Sequence, residues 1–161
     1  MAYLIDSDVL IQAKNAYYGF DICPGYWDWL TAAHQHGIVY SVEKVREELM
    51  VGTDELARWI GNCPGSFFLP VDTLTASSMT TVGNWVSAQG YNPTFVADFL
   101  NQADYFLISS ALAHSHTIVT HEKLQIGTKK IKIPNVCMGL GVTYINNFTM
   151  LRDHMVRFVL Q

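Results

Sequence analysis

The sequence predicts an α/β protein, a Rossmann-like α/β/α sandwich on a central parallel sheet. Three observations carry this. Short apolar or β-branched runs alternate with helical patterns throughout, the order that covers a parallel sheet on both faces. Two of those runs, Tyr3-Leu4-Ile5 and Thr117-Ile118-Val119, are each followed closely by a carboxylate. No repeat, low-complexity tract or long linker divides the 161 residues, so residues 1–161 read as a single domain large enough for a core.

The first strand opens the stretch Tyr3-Leu4-Ile5-Asp6-Ser7-Asp8-Val9-Leu10-Ile11. Ligands of open α/β sheets bind at the carboxyl ends of the strands, which puts Asp6 on that rim and Asp8 in the next helical turn. Two carboxylates so placed repel each other and become favourable around a hard cation. The structural alternative is that Ser7 or Asp8 simply caps the helix. That helix spans Asp8 to Lys14, and Asn15 to Cys23 reads as irregular and aromatic. Pro24 starts a second helix bearing Tyr26, Trp27, Leu30, Ala33 and His34 at helical spacing, stopped by Gly37. Trp27 and Trp29 read as core or interface anchors, and His34 and His36 as a solvated helix end.

Ile38 to Tyr40 is a second strand, with Ser41 as N-cap of the helix that follows. Val42, Val45 and Leu49 form its apolar stripe. At about 100° per residue, Glu48 falls on the flank of that stripe while Glu43 and Glu47 face outward. From Asp54 to Gln89 the pattern gives a helix, an apolar segment at Phe67 to Leu69 and a longer helix from Asp72, with breaks at Pro64-Gly65 and Pro70. Asn101-Gln102-Ala103-Asp104 opens the next helix, whose buried face carries Ala103, Phe106, Leu107, Ser110 and Ala111. Asp104 lies in its first turn, where the helix dipole favours a carboxylate, and capping with Asn101 is the structural alternative. Thr117 to Thr120 is a buried strand ending in Thr120-His121-Glu122. Ile131 to Ile133 is a strand candidate, Gly139 and Gly141 form a turn, Val142 to Ile145 is a strand, and a terminal helix runs from Asn147 to Leu160.

Half the residues are hydrophobic and the mean hydropathy is slightly positive, the composition of a packed protein. Asp6 interrupts the one N-terminal apolar run, so neither a membrane span nor a signal peptide is expected, and the expected compartment is the cytoplasm. Cys23, Cys63 and Cys137 read as reduced thiols. A net charge of −4 argues against a broadly basic nucleic-acid surface. Lys123, Lys129, Lys130 and Lys132 nevertheless form a local basic cluster suited to phosphate contact, or to a solvated loop.

Asp6, Glu48, Asp104 and Glu122 thus belong to strand–helix units that can converge on one rim. In YLIDSDVLI, SVEKVREEL, ADYFLISSALAHSHTIVT and the following THE, the chain resembles the PIN-domain nuclease family, in particular the toxin ribonucleases of bacterial type II toxin–antitoxin pairs. The resemblance covers the chain in order, with its motifs in the first third and around residues 103–122. It implies that Asp6, Glu48, Asp104 and Glu122 bind Mg²⁺ or Mn²⁺ and carry metal-assisted phosphodiester hydrolysis, with Ser7, Asp8 and Thr120 in support. It further implies an RNA substrate, a cognate antitoxin protein and a homodimer, with which the aromatics Tyr17, Tyr18 and Phe20 are compatible. Glu122 stands where the family usually has aspartate, and Asp8 where asparagine is commoner. Both keep oxygen ligands, but the longer side chain and added charge bear on metal number and preference. Asp98 is an alternative to Asp104.

Two other classes compete. The Asp6-Ser7-Asp8 motif after an apolar strand resembles that of haloacid-dehalogenase-type phosphatases, with Asp6 as nucleophile, Asp8 as acid/base, Thr120 as second motif and Lys123 or Lys129 as the later lysine. The acidic pair that should follow is missing, since Asp153 is the last acid after Glu122. A PIN-like binding module without activity is the non-enzymatic reading. A zinc site from His114, His116 and His121 is weaker, since no cysteine lies suitably near.

Overall fold

The structure is a computed structural model that describes residues 1–127 and 130–160. In chain order its elements are β1 (Tyr3–Ile5), α1 (Ser7–Gln12), α2 (Pro24–Gln35), β2 (Val39–Val42), α3 (Glu43–Leu49), α4 (Glu55–Asn62), β3 (Phe68–Leu69) and α5 (Thr73–Ser87). They continue with α6 (Pro93–Phe99), α7 (Ala103–His114), β4 (Thr117–Val119), α8 (Ile133–Leu140), β5 (Tyr144–Ile145) and α9 (Asn147–Asp153). The five strands form one sheet in the order β3-β2-β1-β4-β5, with every pairing parallel. Helices cover both faces, so the fold is the Rossmann-like α/β/α sandwich that the alternating pattern predicts.

Strand pleating sorts the core into two layers. Leu4 and Ile118 face one side, packing with Val45, Val82, Leu107 and Val136 under α3, α5, α7 and α8. Ile5 and Val119 face the other, packing with Leu10, Trp27, Leu30, Ile60 and Met150 under α1, α2, α4 and α9. The chain leaves β1 toward β2 and β3, then crosses back to place β4 on the other side of β1. Strand order therefore reverses between β1 and β4, and a crevice opens at their carboxyl ends.

Several elements differ from the sequence reading. Helical structure continues past Lys14 as a single π turn over Ala13–Tyr17, inside the stretch read as irregular. Ser41 is not an N-cap: it belongs to β2, where its buried hydroxyl donates to the Ile5 carbonyl at 2.7 Å, and Val42 takes the cap position. Helix α6, capped by the Asn92 side chain and started by Pro93, has no counterpart in the reading. Ile131 to Ile133 is not a strand; Ile133 and Pro134 begin α8, since proline in the first turn of a helix gives up no needed amide. Gly139 lies within α8 against Trp85, while Gly141, at φ +71°, ends it. Strand β5 is confined to Tyr144–Ile145. The last helix stops at Asp153, seven residues before Leu160: Met155 adopts φ +51° and the Val156 amide returns to the Leu151 carbonyl at 2.9 Å, a Schellman-type ending.

Other expectations of burial also change. His34 is buried, between the Val39 carbonyl (3.0 Å) and Ser66 Oγ (2.9 Å), so it is not part of a solvated helix end; His36 is exposed. Tyr18 stacks on Tyr26 and Phe20 on Trp27, leaving Tyr17 as the exposed member of that trio. Trp27 is a core anchor, and the three cysteines are free thiols. Among the described residues, no helix is long and apolar enough to cross a membrane.

Candidate functional site

Asp6 directly follows β1, and its amide donates to the Val119 carbonyl at 3.0 Å, tying the ends of β1 and β4 together. The carboxylate is buried, and its Oδ2 accepts the Thr120 hydroxyl at 2.9 Å. The same Thr120 oxygen accepts the Glu122 amide at 3.1 Å. Ser7 Oγ is a long 3.5 Å from Asp6 Oδ1. Neither Ser7 nor Asp8 caps α1; both are inside the helix, and Asp6 holds the cap position without a side-chain bond. Asp8 acts on the Asp6 carboxyl group, and its Oδ1 is buried with no hydrogen-bond partner among the described residues.

Asp104 enters from the opposite layer, in the first turn of α7. Asn101 does not cap this helix, because its side chain donates to the Ala97 carbonyl. The acceptor is instead Glu48, whose Oε1 takes the Ala103 amide at 2.9 Å. Glu122 does the same for α8, its Oε2 taking the Ile133 amide at 2.9 Å. Two long carboxylates thus arrive at helix N-termini, where orphan amides and the helix dipole favour negative charge.

The crowding shows in the protonation equilibria. Burial pushes the Asp6 pKa well up, and the charges of Asp8 and Asp104 push it further, against the opposing Thr120 hydrogen bond. Asp104 is pushed up to about 7, first by burial, then by Glu122, Glu48 and Asp8, while Lys132 opposes the rise. All five acids therefore share one field. Asp98 does not enter it: it is exposed on α6 and contributes nothing to Asp104. Glu43, Glu47 and Glu48 are all exposed, so burial does not separate them; Glu48 is distinguished by its bond to the Ala103 amide.

Among the described residues, no three His, Cys, Asp or Glu side chains are gathered tightly enough to enclose an ion. The donor chemistry still suits a hard cation, since all five groups are carboxylates and Glu48 and Glu122 each keep one oxygen beside the one taken by a helix amide. The donor type suits Mg²⁺ or Mn²⁺, but the described side chains are not arranged as a group that encloses an ion.

Beside the acids lies a cleft of about 970 Å³, whose walls include Asp8, Tyr17, Thr120, His121, Glu122 and Phe148. Lys123 also lines it; Lys132 faces Asp104, Lys130 is exposed, and Lys129 lies outside the described residues. Of the three histidines of the zinc reading, His114 and His116 are neighbours, with ring centroids 5.8 Å apart, while His121 lies in the cleft. His114 Nε2 pairs with Asp72 at 2.8 Å, His116 Nδ1 accepts the Ala2 amide at 3.1 Å, and His121 packs with Tyr17 and Phe148 in the cleft. Sequence reasoning missed the grouping of Tyr17, His121 and Phe148, because residues from three distant segments meet there with no local signal.

The family model described as "Domain of unknown function (DUF4411)" matches residues 3–158. No curated protein and no solved structure matches the chain. The matched span runs from β1 to beyond α9 and includes all five acids, so the chain belongs to the DUF4411 family.

Proposed function

We propose that the protein is a metal-dependent endoribonuclease of PIN type, the toxin of a type II toxin–antitoxin pair acting in the cytoplasm. The observation that carries the reading is the meeting of five carboxylates at the switch point of a parallel sheet, where burial and then the neighbouring acids lift Asp104 to about 7. Such crowding is unfavourable for the metal-free fold and favourable for holding positive charge.

Asp6, Glu48, Asp104 and Glu122 would hold Mg²⁺ or Mn²⁺. When bound, such an ion supplies an activated water and neutralises charge on the scissile phosphate. Thr120 orients Asp6 through its hydroxyl, and the Ala103 and Ile133 amides fix Glu48 and Glu122. Asp8 contributes a buried oxygen with no hydrogen-bond partner among the described residues. Lys123, on the cleft wall, suits a phosphate of the RNA strand. The antitoxin and the homodimer follow from the resemblance alone, since Tyr18 and Phe20 are turned inward.

A phosphatase nucleophile must reach the phosphorus atom, whereas Asp6 is 2% exposed and held by Thr120. One observation does favour the inactive module: Glu48 and Glu122 already have structural work as helix caps. The test is cleavage of a mixed RNA pool by purified protein in Mg²⁺ or Mn²⁺ against EDTA, beside Asp6→Asn. Metal-dependent cutting lost in the variant supports the nuclease. Release of phosphate from small phosphoesters supports the phosphatase, and silence in both assays supports the module.

A further inference from the structure

We infer that Tyr17, His121 and Phe148 form a base-stacking subsite that takes one unpaired nucleobase of the RNA next to the acidic centre. The inference rests on the ribonuclease reading for the substrate class and on separate observations for the site. The three rings form a closed set: Tyr17 to Phe148 centroids are 5.1 Å apart, and Tyr17 to His121 and His121 to Phe148 are each 5.6 Å apart. All three line the cleft that also holds Asp8, Thr120 and Glu122. His121 stands between Thr120 and Glu122 in the chain, so the ring set is joined covalently to the acidic site.

The rings are neither a core cluster nor incidental surface. Tyr17 is 52% exposed, while His121 and Phe148 are half-buried and meet it at 53° and 86°, so they buttress one accessible ring on the wall of an open cleft. The π turn over Ala13–Tyr17 delivers Tyr17 to this wall, and such single-turn insertions re-aim side chains where function needs them. Stacking on aromatic rings is how single-stranded RNA is commonly held, because every base has a π face, whereas a duplex cannot present one. Lys123 on the same wall adds a cation for the adjoining phosphate.

The test uses a single-stranded oligoribonucleotide carrying one 2-aminopurine, whose fluorescence is quenched on stacking, titrated with the full-length protein in Ca²⁺. Wild type and Tyr17→Phe are expected to quench it equally. Tyr17→Leu, which keeps apolar bulk but removes the ring, is expected to abolish the quenching and weaken affinity about tenfold. Thermal melts establish that the variants are folded; Tyr17→Ala serves as a second ring deletion. Unchanged quenching and affinity in a folded ring deletion would overturn the subsite, as would a wild type that does not quench. Cleavage of unlabelled RNA in Mg²⁺ or Mn²⁺ is scored in parallel. Cleavage without quenching removes the subsite and leaves the nuclease; ring-dependent quenching without cleavage keeps the subsite and removes the nuclease.

Discussion

The Thr120 hydroxyl donates to Asp6 Oδ2 at 2.9 Å, joining the ends of β1 and β4 across the switch point of the sheet. Because the same oxygen accepts the Glu122 amide, one buried side chain positions two of the acids. Thr120→Val keeps the shape and removes both bonds. It should lower stability by about 1–2 kcal/mol, the cost of leaving buried polar groups without partners. Thr120→Ser should retain most of it. Urea unfolding of the three proteins checks this, and equal midpoints for Val and Thr would show that the hydroxyl positions nothing.

Glu48 allows structural and chemical roles to be separated. Its Oε1 accepts the Ala103 amide at the start of α7, a bond that glutamine can also accept. Glu48→Gln should therefore leave stability within about 0.5 kcal/mol, whereas Glu48→Ala should cost about 1 kcal/mol as a lost cap does. Divalent-ion affinity should fall in both, since each removes the charge. Chemical unfolding combined with ion titration distinguishes the cases; a Gln variant that binds ions like the parent would make Glu48 purely structural.

The acids also set the pH dependence of the metal-free protein. Folding raises Asp104 from 3.8 to about 7 and raises Asp6 as well, so the folded state binds more protons than the unfolded chain between those values. The contribution of Asp104 is full below about pH 4 and is lost as pH rises through about 7, and that of Asp6 is lost in the same direction. Asp54 and Asp72 run the other way, held low by Lys14 and by the Thr75 amide, and lose their contribution only as pH falls below the ordinary carboxylate range. In EDTA the protein should thus be more stable at about pH 5 than at about pH 8, by roughly 1–2 kcal/mol after allowing for solvent screening. Asp104→Asn should flatten this fall and leave stability near neutral pH equal or higher. A clear loss of metal-free stability in that variant would mean that Asp104 is a structural residue.

Packing between α5 and α8 leaves no room at Gly139. A Cβ there would lie 2.0 Å from Trp85 Cζ2, and the indole cannot yield without moving its neighbours. Gly139→Ala should cost more than about 2 kcal/mol, well beyond a helix-propensity effect, which for alanine over glycine is favourable. Thermal unfolding tests it, and a stabilised variant would contradict the packing.

Much of this was legible from sequence, for identifiable reasons. The strand Tyr3–Ile5 followed by Asp6, and Thr117–Val119 followed by Thr120, carry strong local patterns, and parallel pairing brings their ends together. Glu48 was separated from Glu43 and Glu47 by helical phase alone. What escaped reading was long-range or conformational. Ile131 and Ile133 alternate as a strand would, but Pro134 starts a helix and tertiary packing decides. Met155 ends α9 in a left-handed conformation with no glycine to announce it. That Glu48 and Glu122 would cap α7 and α8, in place of Asn101 or a residue local to α8, depends on contacts that no spacing rule contains.

Calorimetric titration of Mn²⁺ into the wild type and Asp104→Asn near pH 7 asks whether the five acids bind a divalent ion. Saturable binding is expected in the wild type, with partial proton release because burial and the neighbouring acids raise Asp104 to about 7 in the metal-free state. Affinity should drop roughly tenfold or more in the variant. Absence of saturable binding in the wild type, or equal affinity in the two proteins, would contradict the account.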